Sequence, residues 1–398
     1  MRNAWLQNAA FALLVSANSV LILLYGMAGI SGHPVITAAV LVAPLVVLMG
    51  GFRPLPTDYL FAALLGVVVA SIITNGRTTT DREYALLIIS LAAYPACRAV
   101  GNRFDHSYFI YITGAIVAAA TLVTAWAVLY DQGVEYKPRV LGFREGATVF
   151  SLSLCFLIFA LVSTNLSWRK WLMIGGLIAF PSVVFAAAMV RHPFIALCLA
   201  LSVLAVFLGQ RRQIAVFVGL ICLSISIGLA SRLDMSSKLI GLVVQSALKP
   251  TVSCDSEDTF AIRGILVKEA LAMIPTVGPF GAGVGSFAKQ SCYKADPHNI
   301  VLQAAAELGV AAALILIGLF GSALVSVARR VRFDPVARFV FAGLVFMGLE
   351  SSISGSLTNA ALIFAFMGWS VGLEGGARRQ VSADYYPEPA KQCAEDAT

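Results

Sequence analysis

The stretch from Cys254 to Ala312 reads CDSEDTFAIRGILVKEALAMIPTVGPFGAGVGSFAKQSCYKADPHNIVLQAAAELGVAA. It is the longest polar segment of the chain. It holds Cys254, Cys292 and His298, and a glycine-rich run from Gly278 to Gly285. On both sides of it the chain is apolar over stretches long enough to cross a bilayer. A membrane chain that keeps a polar segment of this size places its chemistry there. The rest reads as scaffold.

Composition supports that reading. Charged residues make up 12% of the chain and apolar residues 59%, with a mean hydropathy of +0.85. Soluble domains carry about 25% charged residues. These values predict an all-α, polytopic membrane protein and exclude a large soluble core. The net charge of +7 does not point to nucleic acid, because the basic residues lie between apolar runs and serve orientation instead. Met1-Arg2 leads into a long apolar run without a small-residue cleavage site, so the first segment is expected to remain as a span.

At about 20 residues per crossing, the apolar runs predict about twelve spans. They lie near 9–28, 34–51, 58–75, 84–100, 108–130, 147–165, 170–190, 193–209, 213–230, 297–328, 336–354 and 357–374. Residues 1–230 thus hold nine spans, 231–297 a large loop with amphipathic helices, 298–376 three more spans, and 377–398 a polar tail read as disordered. One set of short loops holds Arg53, Arg98, Arg103, Arg169, Lys170, Arg211, Arg212, Arg329, Arg330, Arg332 and Arg338. The other holds Arg77, Arg82, Lys137, Arg139, Arg144 and Arg191. That bias puts both termini in the cytoplasm and the 231–297 loop outside. Of the seven cysteines, only Cys254 and Cys292 fall in that outer loop. An oxidising space favours a disulfide between them; two unrelated thiols are the other reading.

Five residues stand out for chemistry. Asp296-Pro297-His298-Asn299 before an apolar run reads as a helix start, with Asp296 as cap and Pro297 at the first position. His298 then falls in the first turn, at the membrane face. A helix N-terminus attracts phosphate and disfavours an imidazolium, which leaves a neutral proton acceptor. An interfacial histidine that only hydrogen-bonds is the plainer reading. Arg191, between two spans, either snorkels to headgroups or holds a phosphate. Arg139 and Arg144 either line a phosphate pocket or are ordinary loop cations. Around Arg263, the apolar residues Ile262, Ile265, Leu266, Ala270 and Met273 approximate a 3.6 period. They predict an amphipathic helix lying on the membrane or on the bundle, with Arg263 solvated in the simplest case. The glycine run must turn tightly or approach something closely. It lacks the Lys-Ser/Thr of a nucleotide loop, so ATP is excluded. No cysteine–histidine spacing suits a metal, and no cofactor is expected. Glu307 and Glu350 are the main charges inside predicted spans; Glu307 either pairs with a cation or is protonated.

In this order the features resemble the O-antigen ligase family of bacterial inner membranes. His298-Asn299, nine residues and then Gly309 are similar to that family's histidine motif, with Ala312 where a second glycine is usual. Arg263 with Leu266, followed by GPFGAGVGSF, resembles its arginine helix and glycine turn. Arg191 resembles its membrane-edge arginine, followed here by His192-Pro193 in place of small residues. Arg139 and Arg144 resemble the arginines of an earlier periplasmic loop. The resemblance implies a GT-C-like lipid-linked glycan transferase with its site facing the periplasm. It implies en bloc, inverting transfer of a polysaccharide from undecaprenyl diphosphate to the lipid A-core acceptor. His298 would be the base, and Arg191 and Arg263 would hold the diphosphate. Arg139, Arg144, Asn299 and Gly309 would serve substrate binding, without metal or cofactor. An O-antigen or exopolysaccharide polymerase of the same superfamily shares this chemistry, and a protein-directed glycosyltransferase is close to it. A lipid or solute transporter is the alternative of another class; it calls for buried charges and internal repeats, and no repeat is evident.

The charge bias yields a topology prediction. A reporter enzyme that works only in the periplasm, fused after Ser237, is expected to be active. Activity there of a cytoplasm-only reporter would reverse the orientation.

Overall fold

The computed structural model describes residues 2–50, 54–100, 104–130, 137–164, 168–208, 211–231 and 259–385. Regular structure among them is helical, apart from one isolated bridge between Val140 and Phe143. In chain order the helices are α1 (Arg2–Val15), α2 (Ala17–Ala28), α3 (Pro34–Leu48), α4 (Pro56–Asn75), α5 (Asp81–Arg98), α6 (His106–Tyr130), α7 (Gly146–Ser163) and α8 (Trp168–Ala187). There follow α9 (His192–Phe207), α10 (Arg211–Ala230), α11 (Thr259–Met273), α12 (Ser286–Gln290), α13 (Ile300–Glu307), α14 (Val310–Ala328), α15 (Pro335–Ile353) and α16 (Ala361–Tyr385).

Every apolar run becomes helix, but two of them break. The first run bends by 74° between α1 and α2, at Ser16. The run read as one span from Pro297 is two helices, because Gly309 at φ 96 separates α13 from α14. With eight residues, α13 is about 12 Å long and too short to cross a bilayer. By length and composition five helices can cross: α4, α6, α7, α14 and α15, or six if the bent α1–α2 pair is one span. Twelve crossings is therefore more than these lengths establish. The apolar stretches of α3, α8, α9, α10 and α16 are shorter. The last helix continues to Tyr385, into the stretch read as tail. Ala377, Arg378, Arg379 and Gln380 favour helix, and no proline intervenes before Pro387.

The outer surface is apolar as lipid requires. On α6, Leu122, Trp126, Leu129 and Tyr130 are exposed toward one end and Tyr108 and Tyr111 toward the other. Tyr108 and Tyr130 are separated by about 33 Å of helix, close to the thickness of a hydrocarbon core. On α14, Leu314, Ile317 and Val325 are exposed as well. Inside, Phe11 of the bent first pair packs on Phe104, Phe109, Phe339, Phe366 and Trp369, mostly edge to face.

One end of the bundle is closed by buried charge. Arg98 donates through Nε to Asp58 Oδ1 at 3.1 Å, and Tyr94 donates to the same oxygen at 2.8 Å. Arg338 donates to the carbonyls of Val331, Arg332 and Ser163. Two arginines counted toward orientation are thus held inside the protein, and the bias rests on the remaining loop cations.

Helices α5 and α16 meet backbone to backbone at Gly368 and Gly372, four residues apart. A Cβ on Gly368 would stand 2.1 Å from the Tyr94 carbonyl oxygen, and one on Gly372 2.6 Å from that of Arg98. Small residues at this spacing are what lets membrane helices approach closely. Gly368→Ala is expected to destabilise the detergent-solubilised protein by about 1–3 kcal/mol through overpacking. Gly321→Ala, where a Cβ meets nothing within 4 Å, is the control and should be neutral or mildly stabilising. Equal melting behaviour of the two variants would contradict the close approach.

Candidate functional site

The site is assembled around the break between α13 and α14. The glycine run turns through Gly281, Gly283 and Gly285, all at positive φ. It delivers two amides to the end of α13: Ala282 N–H donates to Ala306 O at 3.0 Å, and Gly283 N–H to Glu307 O at 2.9 Å. The contact tolerates no side chain. A Cβ on Gly309 would lie 2.0 Å from Pro279 O, and one on Gly281 2.4 Å from Glu307 O. The far side of the turn is held by the α4–α5 loop, where Thr78 donates to Val284 O at 2.6 Å and Lys289 donates to Thr78 O. Gly281 and Gly309 approach protein backbone, while Gly283 and Gly285 press on the side chains of Thr78, Thr79 and Glu83.

Helix α11 packs on this platform. Leu266 and Ala270 are buried against Phe287 and Ala306, with Ile262, Met273, Tyr293 and Leu302 around them. Its apolar stripe therefore faces the bundle. Cys292, in the turn after α12, is disulfide-bonded, and its amide donates to the Glu269 carboxylate at 3.3 Å. Cys254 lies outside the described residues.

The start of α13 differs from the sequence reading. The cap is Asn299, whose Oδ1 accepts from Val301 N–H and Leu302 N–H at 3.0 Å each. Asn299 Nδ2 donates to Ser352 O at 3.2 Å, tying the segment to the end of α15. Asp296 is not the cap. Its oxygens accept from Gln303 Nε2 at 3.3 Å and from Ser356 Oγ at 2.7 Å. An asparagine one residue before the helix outcompetes the aspartate because its amide can cap and reach α15 at once. His298 therefore precedes the helix, at φ 55, a left-handed conformation that non-glycine residues adopt at a cost. The first free amides of α13 are already taken by Asn299, so they are not the phosphate site expected there.

Three sequence-selected residues converge here. Arg191 caps α9 after the turn at Met189, Arg263 projects from α11, and His298 stands before α13; all three are half-buried. Burial first, then the charge of Arg263, lowers His298 below its ordinary 6.5, with Asp296 pulling the other way and His192 adding to the depression. Burial and the charge of Arg263 also lower Arg191. Both arginines remain cationic at neutral pH. Arg263 Nε is buried with no hydrogen-bond partner. The arrangement thus offers concentrated positive charge beside a neutral imidazole.

The remaining candidates separate. Arg139 and Arg144 flank the two-residue turn at Leu141-Gly142 and are exposed. Their turn ends at Glu145, which Lys137 binds at 2.8 Å and whose ionised form His192 also favours. This brings the loop next to the cluster, though Arg144 forms no hydrogen bond to it among the described residues. Gly309 sits at the opposite end of α13 from Asn299 and serves the close approach of backbone. Glu307 is fully buried, accepts from Phe287 N–H and Gln303 Nε2, and pairs with no cation among the described residues.

Two residues were not singled out by sequence as members of the site. His192 Nε2 lies 2.9 Å from Glu350 Oε1, and Glu350 is buried in the last turn of α15. The signal was available in part: His192 follows Arg191 directly, and Glu350 is an acid within an apolar run. Compared with protein-family models, curated proteins and solved structures, the chain gives no match.

The electrostatics make a direct prediction. In a histidine NMR titration of the full chain in detergent, assigned by difference with His298→Gln, His298 is expected to titrate below pH 6.5. Arg263→Ala removes a cation that opposes protonation, so the midpoint should rise. It should not fully recover, since burial is the larger cause. A wild-type midpoint at or above 6.5 would contradict the geometry.

Proposed function

We propose that this chain is a lipid-linked glycan transferase of the bacterial inner membrane. It moves a polysaccharide en bloc from undecaprenyl diphosphate to the lipid A-core acceptor at the periplasmic face, as an O-antigen ligase does. The observation that carries this is the convergence of Arg191 and Arg263 with a neutral His298, one guanidinium nitrogen being buried and without a partner. Together with the apolar exterior, it supports a diphosphate ligand presented from the membrane. In this reading the shorter apolar helices cross as well, giving about twelve spans in a GT-C-like arrangement.

The chemistry follows from the groups. His298 accepts the proton of the acceptor hydroxyl. The oxygen attacks the anomeric carbon while the bond to the diphosphate oxygen breaks on the opposite face, inverting the centre. The diphosphate leaves with the electron pair, and Arg191 and Arg263 offset the charge that grows on it. His298, half-buried, returns its proton to solvent. The polyprenyl diphosphate carries the free energy, so neither ATP nor a sugar nucleotide enters.

The test is transfer from lipid-linked donor to purified lipid A-core by the full chain in liposomes. His298→Ala is expected to lower the rate by about 10²–10⁴-fold. Arg191→Ala and Arg263→Ala should each cost about 10²–10³-fold. Lysine at either position should restore only part, lacking the planar fork. The exposed His33, as His33→Ala, is the neutral control, and a chelator should leave the wild type unchanged. Full activity of His298→Ala would remove the base. In cells, deletion that leaves single-repeat lipopolysaccharide, in place of unsubstituted core, would favour the polymerase.

A further inference from the structure

The cluster contains two buried orphan atoms of opposite character. Arg263 Nε is a donor without an acceptor, and Glu350 Oε2 is an acceptor without a donor. Glu350 is only 7% exposed. A buried carboxylate oxygen left without a donor is costly, more so for a charged group, and a ligand that supplies a donor relieves the cost. The other carboxylates nearby are engaged: Asp296 by Gln303 and Ser356, Glu145 by Lys137 and Thr148. Glu350 uses one oxygen on His192 and keeps the other.

Its position fits a role beside the reacting centre. His192 follows Arg191 in the chain and opens α9. Asn299, next to His298, bonds the Ser352 carbonyl, two residues beyond Glu350. The end of α15 therefore carries Glu350 on one side and anchors the His298 segment on the other. Glycan transfer needs two kinds of recognition: donors for the diphosphate and an acceptor for hydroxyl groups of the incoming sugar. Arg263 supplies the first.

We propose that Glu350, held by His192, positions the acceptor by taking a hydrogen bond from a sugar hydroxyl of the lipid A-core. This rests on the transferase reading and names the acceptor side of the same site. The carboxylate turns about its last bond, so either oxygen can serve while the other stays on His192.

The experiment measures steady-state transfer by the full chain in liposomes, together with binding of purified lipid A-core to detergent-solubilised protein without donor. Glu350→Gln keeps the shape and an oxygen for His192 while removing the charge. It is expected to raise the acceptor KM and weaken lipid A-core binding about 10-fold or more, with the donor KM within about twofold. His192→Ala, which releases Glu350, should raise the acceptor KM in the same direction, and Glu350→Asp should restore part of the binding. Unchanged acceptor KM and binding in Glu350→Gln would overturn the proposal while wild-type transfer upholds the transferase reading. A collapse of kcat with unchanged acceptor KM would also overturn it, since Glu350 would then act on the chemical step. A wild type that neither transfers nor binds lipid A-core would instead overturn the transferase reading itself.

Discussion

The structure depends on how the end of α13 is satisfied. A helix that stops inside an apolar bundle leaves carbonyls that neither lipid nor water can reach, and each costs about 1–3 kcal/mol if unmet. Here the glycine turn meets them, with Ala282 and Gly283 amides on Ala306 and Glu307 and the Ser71 hydroxyl on Glu307 as well. The turn reaches them only because neither Gly281 nor Gly309 carries a side chain. One contact thus ends α13, starts α14 and seats the polar segment on the bundle.

The position of the cluster follows from that seating. With the turn fixed, α11 settles its apolar stripe on α13, and Arg263 comes to face Arg191 at the mouth of α9. The Asn299 cap ties the segment to α15, and His298 is left between them in a strained conformation. Strain of this kind persists where the surroundings over-determine it. Two guanidinium groups held near one another and half out of water repel. A multivalent anion would relieve that repulsion, while burial, more than the charge of Arg263, keeps the imidazole beside them neutral.

Much of this was legible from residue patterns. Apolar length marked the helices of the bundle, and the 3.6 period around Arg263 marked α11 and its buried face, while the short α12 had no signal. The grouping of Arg191, Arg263 and His298 came from the resemblance of their order to the O-antigen ligase family, on the outer side that the charge bias predicts. The misreadings share a cause: a local rule gave way to a distant contact. Asp296-Pro297 has the form of a helix start, but the cap went to Asn299 because Ser352, far along the chain, accepts its amide. One long apolar run hid the break at Gly309, since its purpose is an approach by Pro279 that no periodicity records. Arg98 and Arg338 counted as loop cations until Asp58 and three carbonyls took them inward. Glu350 looked like an isolated acid, and its meaning came only from His192 on another helix.

The central claim is that Arg191 and Arg263 form an anion site opposite His298. The most direct measurement is an experimental structure of the full chain in lipid nanodiscs with undecaprenyl diphosphate bound. Diphosphate oxygens are expected within hydrogen-bond distance of both guanidinium groups, with Arg263 Nε among the donors and the polyprenyl chain leaving along the apolar exterior. A diphosphate seated elsewhere, with Arg263 still unpartnered, would contradict it.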